Sequence, residues 1–110
     1  MTKITFYTGE NGRIKGFICK GHAGYAEAGE DIVCSAISAL VINTINSIEQ
    51  LTESELEVTA DEDEAVIEAF FKEQPSDEAE LLMRSLVLGI SEIKDNGETS
   101  EYVDLIFEED

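Results

Sequence analysis

The chain has 110 residues, 43% of them hydrophobic, which suits one domain with a core of its own and excludes a disordered acidic tail. Its formal charge of −18 is uneven: residues 1–30 balance at +1, with Lys3, Arg13, Lys15 and Lys20 against Glu10, Glu27 and Glu30, which leaves −19 on the rest. Such a surface repels nucleic acid and anionic lipid and favours encounter with a basic partner. Two cysteines, Cys19 and Cys34, are too few for a secreted disulfide framework, and the reading is reduced thiols in a cytoplasmic protein. The first residues lack the basic-then-apolar pattern of a signal peptide, and no run is read as a membrane span.

Residues 3–8 alternate as a strand does, and 13–20 read as its partner, with Ile14, Gly16 and Ile18 on one face and Phe17 and Cys19 on the other. Glu10-Asn11-Gly12 between them is a turn signal with glycine at a positive-φ position. Residues 21–30 hold three glycines and read as a loop that opens and closes over a site. Asp31 fits a helix N-cap, and a helix is expected from there to about Leu51. Its stripe is Val33, Ile37, Leu40, Val41, Ile45, Ile48 and Leu51; Ala36 and Ile42 widen it and predict burial on more than one side. Residues 55–60 and 64–72 form a second hairpin, turned at Asp61-Glu62-Asp63. Pro75-Ser76-Asp77 starts a second helix with the stripe Ala79, Leu82, Met83, Leu86, Val87, Ile90 and Ile93, ended by Asp95-Asn96-Gly97. Tyr102 to Phe107 is a last strand. The fold class is α+β: one domain over 1–110 in the order ββαββαβ, an antiparallel or mixed sheet with two helices packed on it.

The chemistry concentrates between Gly21 and Ser38. His22 is the chain's one histidine, and it follows a strand. Cys34 falls in the expected first turn of the long helix, where unpaired N–H groups and the helix dipole stabilise a thiolate. An imidazole in reach of that sulphur takes its proton and later protonates a leaving amine. Backbone N–H groups around Cys34 are candidates to hold an oxyanion. Asp31 either caps the helix or orients the imidazole. Ser38, one turn beyond Cys34, is a candidate auxiliary on the same side. The residues alone also permit blander roles: a surface histidine, a core cysteine, a capping aspartate.

The segment Gly21-His22-Ala23, Gly29, Asp31-Ile32-Val33-Cys34, Ser35-Ala36-Ile37-Ser38 resembles the motif of the ribosomal-processing cysteine protease family, Prp. That resemblance implies a cytoplasmic, homodimeric thiol endopeptidase with His22 and Cys34 as catalytic residues. It implies removal of a short N-terminal extension from a basic protein of the bacterial large ribosomal subunit, cut after an aromatic residue, and so an apolar pocket near Cys34. No cofactor, membrane or direct nucleic-acid contact is implied. The competing reading is a non-catalytic acidic adaptor on the ribosome. A metal site from Cys19, His22 and Cys34 lacks the usual paired ligands, and a redox pair of Cys19 with Cys34 lacks a Cys-x-x-Cys motif.

Overall fold

The structure is a computed structural model that describes residues 1–21 and 28–109. It contains β1 (Thr2–Thr8), β2 (Ile14–Lys20), α1 (Ala28–Leu51), β3 (Leu56–Asp61), β4 (Val66–Phe71), α2 (Asp77–Asp95), a 3-10 turn at Ser100–Tyr102 and β5 (Val103–Glu109). The expected order ββαββαβ is the observed one. The sheet is mixed, in the order β3-β4-β2-β1-β5, with β1 and β5 parallel and the other neighbours antiparallel.

Register explains which side chains meet the helices. Ile4 lies opposite Cys19 and Phe6 opposite Phe17 on β2; Cys19 in turn faces Ile67 and Phe17 faces Ala69 on β4. Residues directly opposite one another share a face, so these form one apolar surface. Val33, Ile37, Val41, Ile45 and Ile48 of α1 and Ala79, Met83, Leu86 and Ile90 of α2 join them in a single buried core. Phe6 and Phe17 sit at its centre with rings 5.8 Å apart and tilted by 59°.

Several local signals act as the sequence predicts. Gly12 has φ 78° in the first turn. Ser76 caps α2, its hydroxyl accepting from the Ala79 amide at 3.1 Å. The Arg13 guanidinium reaches Asp77 at 2.6 Å, and the Ile14 amide donates to Glu80 at 3.1 Å, so the first hairpin is fastened to the start of α2.

Three expectations need correction. First, α1 begins at Ala28, so Asp31 lies inside its first turn and not at a capping position, and residues 28–30 belong to the helix and not to a loop. Second, α1 is not buried on more than one side: Ile42 is 49% exposed, Leu51 76% exposed, and Ala36 is exposed as well. Third, Asp31–Leu51 is long and apolar enough, by length and composition alone, to cross a membrane. In this fold its inner side is the domain core, which accounts for the apolar content of that side.

Candidate active site

The site forms where the end of β2 meets α1 and the β3–β4 turn. The ladder between β2 and β4 ends with Lys20 opposite Val66, and one further bond, from the Gly21 amide to the Ala65 carbonyl at 2.8 Å, extends it. That turn is held by Asp61, whose carboxylate accepts from the amides of Asp63 at 3.0 Å and Glu64 at 3.2 Å. Ala65 closes it at φ 54°, a left-handed conformation that few non-glycine residues adopt.

Against this corner sits Cys34. Its sulphur is 3.1 Å from the position a β-carbon would take on Gly21, and the residue is half-buried. Because α1 starts at Ala28, Cys34 is in its second turn, not its first. Its amide is therefore engaged in the helix ladder, and the dipole, which weakens beyond the first turn, acts on it less than expected. The α1 amides next to Cys34 are engaged in the same ladder.

A cavity of about 490 Å3 opens beside the sulphur. Cys34, Ser38, Ile42, Ile45 and Asn46 line it from α1, Val58 and Ala60 from β3, and Asp61, Glu62 and Ala65 from the turn. Its wall is mainly apolar, and its acidic residues, Asp61 and Glu62, come from the end of β3 and the turn that follows. Ser38 thus shares the cavity with Cys34, one helical turn along. Asp31 is exposed at the start of α1 and does not line it. His22, with the rest of 22–27, lies outside the described residues, as does the glycine loop expected to gate the site.

Sequence reasoning missed the outer wall. The sequence pattern puts Ile42 in the core and gives Val58 no role, yet both are exposed and face this cavity. An apolar residue set off the core stripe of α1 was the signal available. Cys19 also lines the cavity from below, and burial pushes its thiol up to about 11, with the neighbouring Cys34 adding to the shift.

The family model for the cysteine protease Prp matches residues 1–104. The chain belongs to the cysteine protease Prp family. The ribosomal processing cysteine protease Prp of Staphylococcus aureus is 25% identical over 95 residues, covering 86% of this chain and 90% of that one. Among solved structures, SMU.848 from Streptococcus mutans is 27% identical with a TM-score of 0.87, covering 100% of this chain and 99% of its own. The S. aureus Prp described as an essential ribosomal processing protease, in complex with a covalently linked product peptide, is 25% identical with a TM-score of 0.86, covering 98% and 100%. Membership makes this protein a cysteine protease, and the adaptor reading falls with it.

Proposed function

We propose that this Prp-family protease cuts through a Cys34 thiolate, with His22 as general base and then acid, and that it removes an N-terminal extension from a ribosomal protein of the large subunit. The observation that carries the proposal is the approach of the Cys34 sulphur to Gly21, 3.1 Å from where a β-carbon there would stand, at the rim of an apolar cavity. The chain runs from Gly21 directly into His22, so the imidazole is tethered one residue from the position beside the Cys34 sulphur.

Chemically, His22 takes the Cys34 proton and the sulphur attacks the scissile carbonyl. The tetrahedral intermediate collapses, the C–N bond breaks, and His22 returns the proton to the leaving amine. Water, deprotonated by the same imidazole, then hydrolyses the thioester and frees the sulphur. With α1 starting three residues before the expected cap, the imidazole carries more of the work of activating the thiol than the helix dipole does. Ser38 is suited to hydrogen-bond the substrate within the cavity. Asp31 fits the first turn of the helix, where its charge complements the dipole.

The apolar cavity suits a large side chain of the substrate next to the scissile bond. The −18 charge suits a basic ribosomal protein and disfavours direct contact with nucleic acid. The same reading takes the working form as a cytoplasmic homodimer, as the family resemblance implies. The test is incubation of wild type, Cys34→Ala and His22→Ala with a peptide that spans the extension. Cleavage by wild type alone, with all three chains folded by circular dichroism, is the expected result; near wild-type turnover by Cys34→Ala would overturn the mechanism.

A further inference from the structure

We propose that Cys19 is a resolving thiol for Cys34, so that oxidation of Cys34 by a hydroperoxide is captured as an intramolecular disulfide that switches the protease off reversibly. This rests on the reading of Cys34 as the reactive thiol.

The placement of the two cysteines carries the inference. Cys19 and Gly21 are two residues apart at the end of one extended segment, which continues its ladder from Ile67 through Val66 to Ala65. Their α-carbon substituents therefore leave the same side, about 7 Å apart along the strand. The Cys34 sulphur lies beside the Gly21 position, 3.1 Å from the site of a β-carbon there. Both cysteines line the same cavity, Cys34 half-buried near its mouth and Cys19 at 5% exposure on its floor. The chain has no third cysteine.

The difference in exposure sets the order of events. A small peroxide reaches Cys34 first. The Cys34 thiolate attacks one peroxide oxygen, the O–O bond breaks, and hydroxide leaves; Cys34 is oxidised to a sulfenic acid and the peroxide is reduced. Cys19 then attacks the Cys34 sulphur. The S–O bond breaks, the S–S bond forms, and the hydroxyl leaves with the Cys19 proton as water. Burial keeps Cys19 protonated at neutral pH and slow toward bulk oxidant, and in resolving Cys34 it gives that proton up to the departing hydroxyl. Closing the bond requires the two β-carbons to stand within roughly 4.5 Å, so the start of α1 has to draw in toward the end of β2 while rotation about the Cys34 Cα–Cβ bond swings its sulphur toward the sheet. Without a partner thiol, further peroxide drives the sulfenic acid to an irreversible sulfinic acid.

The experiment treats the full chain with hydrogen peroxide and follows intact mass, alkylation of each cysteine and peptide cleavage before and after a dithiol reductant. Wild type is expected to lose two hydrogens, to protect both thiols from alkylation, and to regain most of its activity on reduction. Cys19→Ala and Cys19→Ser are expected to gain two oxygens at Cys34 and to recover about tenfold less, each relative to its own untreated level. Oxygen added at Cys34 of wild type without a disulfide would overturn the proposal, and so would equal recovery in the Cys19 variants. The mass of the oxidised wild type decides even if those variants fail to fold. It also needs no peptide cleavage, so failure of the proposed proteolytic mechanism is read separately, from the activity of Cys34→Ala.

Discussion

A β-carbon placed on Gly21 would stand 3.1 Å from the sulphur of Cys34. That is tighter than about nine in ten real β-carbon contacts, so the glycine leaves the proposed nucleophile its room. The Gly21 amide is tied to Ala65 at 2.8 Å, which stops the strand end from moving aside. Gly21→Ala should therefore displace the sulphur while leaving the core intact. The expected outcome is a loss of about tenfold or more in kcat/KM, since small misplacements of reacting groups cost rates of this order. The melting temperature should move little. Unchanged turnover would remove Gly21 from the site.

Gly29 has a different reason to be glycine. A β-carbon there would lie 3.1 Å from the Tyr102 hydroxyl and 3.2 Å from its ring, so the first turn of α1 and the turn before β5 touch through this residue. Alanine is about 1 kcal/mol better than glycine inside a helix. Gly29→Ala should still destabilise the protein, because the ring has to give way. In a Tyr102→Ala background the same change should become neutral or stabilising. Denaturant unfolding of the four chains measures the coupling, which should exceed about 0.5 kcal/mol.

These two glycines show where the sequence stops being legible. Strand alternation and helical spacing were readable because one face of each element is apolar, and Ser76 and Gly12 were readable because caps and turns use few residue types. The start of α1 was not. Gly29 looked like loop, since its helical role depends on Tyr102, more than seventy residues away in the chain. Ala65 at positive φ carries no sequence mark. Ile42 stands beside the core stripe of α1, and periodicity alone does not tell a cavity wall from a wider core. The Cys34 segment was legible as a resemblance, but the shape of the cavity was a matter of tertiary packing.

Cys19 makes a prediction about alkaline stability. Its thiol is raised by burial to about 11, above the ordinary value near 8.5, so the folded state holds the proton more tightly than the unfolded state. Its contribution is fully present below about pH 8.5 and is lost as pH rises toward 11. The amount is about 3 kcal/mol by the usual conversion. Wild type should lose stability across this window more steeply than Cys19→Ala, with tyrosines and lysines common to both. Parallel curves from urea unfolding at stepped pH would show that the thiol titrates alike in both states.

Ile42 and Val58 give the cavity its apolar walls, one on α1 and the other on β3. They are 49% and 41% exposed in the free protein, so neither is needed to close the core. Exposed apolar groups of this kind gain when a ligand covers them, at roughly 25 cal/mol for each Å2 removed from water. Truncation of Ile42 to alanine should therefore weaken peptide binding by about 1 kcal/mol, or several-fold in KM, with kcat held within about twofold. Val58→Ala should act the same way and more weakly, having less side chain to lose. Stability of both variants should stay within about 0.5 kcal/mol of wild type, as for other surface changes. Steady-state kinetics on a peptide with an aromatic residue before the scissile bond separates the outcomes. A fall in kcat at constant KM would mean that these walls position the scissile bond and do not merely hold the side chain. No change in either constant would place the substrate outside this cavity.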